Sequence, residues 1–303
     1  MGQPHIPVLV NEVISLMECG PHRVYVDATL GGGGHALEIL KRTGPDGRVI
    51  GIEWDAEAIA EAQKVLSPFG DRVKVFHENF ARLSDLLREI RVERVDGILL
   101  DLGLSSIQLE GQERGFSFRG EGPLDMRMDQ RIEGTAADLV NQLSLRDLEE
   151  VLWNYGEERW ARRIAKAIVN ERTQNRIETT QALRKVVYQA IPKQFHSRKL
   201  DPATRTFQAL RIRVNHELEN LKQALEEGRP ILRTGGRLCV ISFHSLEDRI
   251  VKQSFRRFER GEAGVIQGEG MRIITRKPIT PSEKERRENP RSRSAKLRCA
   301  ERI

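Results

Sequence analysis

The residues of this chain able to do chemistry gather where apolar runs give way to acid, glycine or hydroxyl. Asp27-Ala28-Thr29-Leu30 leads into four consecutive glycines, Gly31 to Gly34, and then His35. Glycine costs about 0.5–1 kcal/mol relative to alanine inside a regular element, so four together imply a sharp bend or a large group lying against the backbone. A phosphate-cradling loop needs G-x-x-x-x-G-K-[ST], and no Lys-Ser/Thr follows the glycines. A dinucleotide fingerprint needs a glycine where Ala36 stands. An adenosyl ligand without phosphates is the third possibility, and there a side chain at Gly33 would occupy ligand space. Glu53 ends "RVIGIE", where a carboxylate can accept both ribose hydroxyls of a nucleoside; the alternative is that it caps the next helix. Phe80 can lie beside an adenine or belong to the core. Asp101, followed by Ser105 and Ser106, ends another apolar run, and its carboxylate can accept hydrogen bonds from an amine. Ser242, His244 and Ser245 in "SFHSLEDRIVK" are neighbours along the chain, so they cannot take the spatial roles of a hydrolase triad.

The elements that must position these residues are legible as alternation. "RVYVDAT", "RVIGIEWD", "RVKVFHENF" and "RVDGILLDLG" read as strands, separated by the helical patterns "HALEILKRTG", "AEAIAEAQKVL" and "ARLSDLLREI". Nearly all-apolar strands alternating with helices imply a parallel sheet covered on both faces. A glycine-rich polar loop follows Leu104. Residues 135–191 then read as helices only, and a long helix is expected from about Thr204 to Leu232. A strand returns at "GGRLCVISFHS", a basic helix follows, and two closing strands are expected near the end. The fold class is therefore α/β, with a sheet domain in residues 1–107, a loop and helical insertion in 108–205, and the completing part with a basic tail in 206–303.

Charge divides along the same lines. The chain carries a net +6, yet residues 1–158 hold 16 Lys and Arg against 28 Asp and Glu, a net −12. Residues 159–213 hold 14 against 3, a net +11, and residues 274–303 hold 10 against 4. An acidic front and basic zones behind it suggest a polyanion held away from the acidic part. Arg159, Arg162, Arg163 and Lys166 follow i, i+3, i+4, i+7 spacing and form a stripe suited to nucleic-acid phosphates, or one that only solubilises a helix. No apolar stretch approaches the ~20 residues a bilayer span requires. The N-terminus lacks a basic region followed by an apolar core, and the three cysteines are widely spaced. A cytoplasmic protein without a metal site or membrane contact is expected.

"DATLGGGGHA" resembles the cofactor loop of S-adenosylmethionine-dependent methyltransferases. Amino-methyltransferases usually carry Asp/Asn/Ser-Pro-Pro-aromatic after the fourth strand; this chain has Asp101 without the Pro-Pro-aromatic. "HIPVLVNEV", "GILLDLGLSSIQL", "RGFSF" with "GPLDMRMD", "RIRVNHEL" and "SFHSLEDRIVK" together resemble the bacterial 16S ribosomal RNA cytosine-N4 methyltransferase family, from His5 to "SAKLR" near the C-terminus. The resemblance implies a Rossmann-like methyltransferase sheet with an inserted all-helical domain and S-adenosyl-L-methionine as cofactor. It implies methylation of the exocyclic N4 of a decoding-centre cytidine, with 16S rRNA in the small ribosomal subunit as partner. It places cofactor contacts on Gly33, Gly34, His35, Glu53, Phe80, Asp101 and Gln108; family members commonly have aspartate at the Glu53 position. Asp101, Ser105 and Ser106 become the catalytic candidates. "RGFSFRGEGPLDMRMD" becomes part of a cytidine pocket, with Phe116 or Phe118 to stack on an extracted base. Asp125 and Arg127 are substrate groups or a salt-bridged brace, His244 is a substrate-side candidate, and Arg162, Arg163 and Lys166 face the RNA. The alternatives are methyl transfer to another nucleic acid or a protein, an NAD(P) oxidoreductase, and an RNA-binding protein without catalysis.

Overall fold

Five strands pair in parallel: β1 (Val24–Asp27), β2 (Arg48–Glu53), β3 (Val73–His77), β4 (Val95–Asp101) and β5 (Leu232–Ser242). β6 (Met271–Ile273) and β7 (Lys296–Arg302) close the sheet antiparallel, in the order β3-β2-β1-β4-β5-β7-β6. This is the parallel sheet that the alternation implied, in the Rossmann-like arrangement that the resemblance implied. The computed structural model describes residues 7–104, 114–117, 120–197, 200–261 and 270–303. Among them, no helix is long and apolar enough to cross a membrane.

The central strands are apolar on both faces because both are covered. Val26, Ile50, Ile98, Leu100 and Val240 join one core with Leu83, Leu86 and Leu87 of α4 (Leu83–Glu89), Leu221 and Leu225 of α10 (Glu217–Ile231), and Phe255 of α11 (Ser245–Arg260). Tyr25, Val49, Leu99 and Ile241 face the other way. They pack with Val13 and Met17 of α1 (Val10–Met17), Ile39 and Leu40 of α2 (Gly34–Arg42), and Leu66 of α3 (Ala56–Leu66). Alternate residues of the central strands thus enter opposite cores, which is why β1, β2 and β4 read as nearly all-apolar. Helix α1 was not expected from the sequence.

The helical unit contains α5 (Ala136–Gln142), α6 (Leu145–Gly156), α7 (Ala161–Arg172), α8 (Thr180–Ala190) and α9 (Thr204–Asn215). Thr135, Ser144 and Thr179 cap α5, α6 and α8, each accepting a backbone N–H that a helix start leaves unpaired. The compact units divide at 105/106 and 217/218, whereas the sequence pattern put the joins at 107/108 and 205/206. The second join moves because α9 packs against α6 within the helical unit.

The long helix expected from Thr204 to Leu232 is two helices. His216 adopts a left-handed conformation (φ 51°) and its N–H donates to Ile212 O, ending α9. The residues around the break are committed elsewhere. Asn215 is buried; its Oδ1 accepts from Met128 N (2.7 Å), and its Nδ2 donates to Met126 O (2.8 Å) and Arg211 O (2.9 Å). Arg211 grips Glu217 through two hydrogen bonds of 2.8 Å. "RIRVNHEL" therefore holds the backbone of "LDMRMD" in place. Removing the Asn215 side chain strands a buried amide and two carbonyls, and each unsatisfied buried group costs roughly 1–3 kcal/mol. Asn215→Ala is expected to lower the urea midpoint, with a loss of at least roughly 1–3 kcal/mol; an unchanged midpoint would show that the contacts hold nothing.

Candidate cofactor site

In open α/β sheets, ligands bind outside the carboxyl ends of the parallel strands. The neighbouring strands β2, β1 and β4 end there in Glu53, Asp27 and Asp101. Three acids on one edge require an explanation, and their partners supply part of it.

Glu53 is buried and binds backbone. One oxygen accepts from Gly31 N (2.8 Å); the other accepts from Trp54 N and Asp55 N (both 3.0 Å). An ionised carboxylate offers about four lone-pair positions, so one position remains for a ligand hydroxyl. The helix cap foreseen as the alternative belongs to Asp55, which accepts from Glu57 N at the start of α3.

The glycine loop is shaped by its backbone and its packing. Gly31 (φ +51°) and Gly33 (φ +83°) are left-handed, a conformation L residues adopt only at a cost. A Cβ at Gly33 would meet the Leu66 side chain at 3.2 Å, and one at Gly34 would meet the Pro7 ring at 2.7 Å. The expectation that a side chain at Gly33 would fill ligand space is thus corrected. That direction points into α3, and glycine is required by φ and by close packing. The N–H groups opening α2 are the part of the loop that can approach a ligand.

His35 is 6 % exposed, and its Nε2 donates to Val8 O at 2.9 Å. That bond turns Nδ1 toward Asp101, whose Oδ2 lies 3.5 Å away. The Asp101 N–H donates to Thr29 Oγ1 at 2.6 Å, tying β4 to the turn after β1. Oδ1 of Asp101 and Oδ2 of Asp27 are buried without a hydrogen-bond partner in the structure. Burial pushes Asp27 up to about 7, with the Glu53 charge adding to it, and pushes Glu53 up to about 7. Asp101 is raised well above the usual carboxylate range, by burial and then by the Asp27 and Glu247 charges. Buried acids with open oxygens fit a ligand that brings hydroxyl donors and positive charge.

Phe80 is 7 % exposed, its ring centroid 5.7 Å from that of Trp54. Trp54, directly after Glu53 and partly buried, was missed by the sequence reading, as was the unpartnered Asp27. A lone tryptophan next to a strand-ending acid was the signal available.

Other candidates fall differently. His244 caps α11: its Nδ1 accepts from Glu247 N at 3.4 Å, and the Glu247 carboxylate accepts from Phe243 N (2.7 Å) and His244 N (3.1 Å). The structure thus uses its Nδ1 in a reciprocal cap. In the helical unit, Phe116 is 8 % exposed with the Arg114 guanidinium 5.5 Å from its centroid, so the ring offers no open face to a base. Asp125 and Arg127 form a two-pronged ion pair (both 2.8 Å), and Arg127 also donates to Ile132 O at 2.9 Å. That bracing guanidinium holds the Asp125 carboxyl below its ordinary range against the opposing effect of burial. Arg162, Arg163 and Lys166 are exposed on α7, whose Ile164, Ala165 and Ile168 are buried. Ser105, Ser106, Gln108 and Phe118 lie outside the described residues.

A family model for the MraW methylase family matches residues 2–303. The chain belongs to this family. Among curated relatives, "Ribosomal RNA small subunit methyltransferase H" of Geotalea uraniireducens is 50 % identical, over 99 % of this chain and 98 % of that protein. The protein of that name from Citrifermentans bemidjiense is 52 % identical over the same shares. As a member of a methylase family, the chain requires a methyl donor.

The raised acids fix a pH dependence. Asp27 and Glu53 titrate near 7 when folded and near 4 in an unfolded chain. The folded state holds the extra protons between those values, so stability falls as pH rises from about 4 to about 7. Asp27→Asn removes one of these groups. It is expected to match the parent at about pH 4 and exceed it above pH 7 in urea midpoint; a parent that is the more stable above pH 7 would refute the buried-acid account.

Proposed function

We propose that this chain transfers a methyl group from S-adenosylmethionine to the exocyclic N4 of a cytidine in the decoding centre of 16S rRNA. The observation that carries the reading is Asp101, a part-buried acid at the end of β4 whose Oδ1 is buried without a partner among the described residues, in a chain of a methylase family whose relatives are named for the small-subunit ribosomal RNA. The cytidine and its N4 come from the resemblance of "DLGLSS", "GPLDMRMD" and "SFHSLEDRIVK" to the N4-methylating family.

S-adenosylmethionine supplies a methyl on a positively charged sulfur, open to in-line displacement by an amine. Cytosine N4 is a poor nucleophile because its lone pair is delocalised into the ring. Asp101 Oδ1 accepts an N–H from N4 and turns the remaining lone pair toward the methyl. Alignment of this kind can supply roughly 7–11 kcal/mol of barrier lowering. The proton that N4 releases passes to Asp101, the acid that holds the amine. His35 is a positioning residue: Val8 O fixes its ring, which places Nδ1 3.5 Å from Asp101 Oδ2. Glu53 takes a ribose hydroxyl with its remaining lone pair, Gly33 and Gly34 let the loop backbone approach, and Phe80 with Trp54 flanks the adenine. Gln108 is a further cofactor contact, and Ser105 and Ser106 assist at the amine. On the helical unit, Arg162, Arg163 and Lys166 bind RNA phosphates. The protein then works in the cytoplasm on the small subunit.

Asp101→Ala is expected to lower methyl transfer by roughly 10²-fold or more, as misalignment of about 1 Å does elsewhere. Asp101→Asn keeps an acceptor oxygen and should retain more activity. Mass spectrometry of 16S RNA, read for N4-methylated cytidine after reaction with fragments or whole subunits, checks both; equal turnover by Asp101→Ala and parent would exclude Asp101. Replacing Arg162, Arg163 and Lys166 together with Ala should flatten the log–log salt dependence of RNA affinity by about 0.7–0.9 per lost contact. S-adenosylmethionine affinity should stay unchanged in calorimetry, and an unaltered slope would leave the stripe a solvated face.

A further inference from the structure

A groove of about 390 Å³ lies at the antiparallel end of the sheet unit, between α11 and the strands β6 and β7. Its walls carry Lys252, Arg256, Arg260, Arg276 and Arg298, with Glu259 as the one acid. Lys252, Arg256 and Arg260 repeat at i, i+4, i+8, so they occupy one face of α11. The other side of that helix is fixed in the core through Val251, Phe255 and Phe258. Arg276, just past β6, meets the row from across the groove.

Two of the charged residues are already used. Arg298 is buried and bound to Asp248 at 2.7 Å, and Glu259 accepts from Ile273 N at 3.1 Å. Lys252, Arg256 and Arg276 are exposed and make no ion pair among the described residues. Three like charges facing one groove repel each other unless an anion lies among them. Phe255, the only aromatic among the described lining residues, is 1 % exposed, so the described lining has no platform for stacking bases. Exposed cations without a stacking ring suit a strand's phosphates, which position nucleic acid without reading its sequence. An enclosed small-molecule site would bury most of its ligand among apolar groups, and this groove does not.

We infer that the groove between α11 and β6 is a second RNA-phosphate site, built from Lys252, Arg256 and Arg276 and independent of the α7 stripe. The inference rests on the RNA reading above and adds a contact on the sheet unit itself. Point charges suffice there, so lysine can replace arginine; a two-pronged, geometry-dependent site would not tolerate that exchange.

The test uses the full chain and a labelled 16S RNA transcript, with binding followed from about 50 to 200 mM salt. Lys252→Ala/Arg256→Ala/Arg276→Ala should flatten the log–log slope by about 2, at about 0.7–0.9 per contact. Arg256→Lys/Arg276→Lys should keep the parental slope. Melting temperature and S-adenosylmethionine affinity should stay at parental values in both, and the exposed single change Lys252→Glu serves if the triple variant does not fold. A parental slope in the alanine variant, while the α7 variant loses slope, overturns this inference and leaves the RNA reading standing. A parent chain that neither binds nor methylates the transcript or whole subunits overturns both.

Discussion

A carboxylate that binds its own backbone is the contact on which the rest of the site depends. Glu53 accepts from Gly31, Trp54 and Asp55 at once, joining the turn after β1 to the turn after β2. With Gly31 fixed, the left-handed Gly33 can start α2 at the point where His35 meets Val8 and faces Asp101. Thr29, in the same turn, takes the Asp101 amide. Three strand ends are thus locked by side chain to backbone contacts, the kind that set geometry without needing a large core. The N-terminal segment takes part: Pro7 covers Gly34 and Val8 fixes the histidine tautomer.

The same edge is electrostatically unfavourable when folded without a ligand. Asp27, Glu53 and Asp101 all have raised pKa values, because burial and their mutual repulsion disfavour ionisation. Two of their oxygens have no partner. A fold selected for stability alone would replace them, since unpaired buried acids cost stability. Their presence fits strain kept for function, which the sulfonium of the proposed donor would relieve. On that reading the energy that destabilises the free edge becomes selectivity for the charged donor over its neutral product, which lacks that charge.

Much of this was legible in the sequence, and the failures have physical causes. Apolar runs between helical patterns gave the parallel sheet, because strands buried on both faces leave no polar register to confuse the reading. The position of Glu53, Asp101 and the glycines followed from strand ends. The break at His216 was not legible: "RIRVNHELENL" has helical periodicity throughout, and it is tertiary bonding by Asn215 that spends the local backbone elsewhere. Gly33 was read correctly as necessary and wrongly as open space, because only packing shows that its Cβ direction faces Leu66. Phe116 and His244 looked available for the same reason; burial and capping are properties of contacts that lie far apart in sequence or depend on rotamer. Trp54 was passed over because tryptophan after an acid has no distinctive spacing.

The division of charge follows from the acidic edge. Phosphates approaching three carboxylates would be repelled over about a Debye length, ~8 Å at physiological salt. The exposed cations lie on other elements, α7 and α11 with Arg276. In the proposed reaction an uncharged cytosine meets no such repulsion and donates a hydrogen bond to Asp101. The proposed phosphate contacts then hold the RNA backbone on basic elements while a single base, extended from its strand, reaches the acids. Separation of charge in the protein and extrusion of the base from the RNA are two sides of one electrostatic constraint.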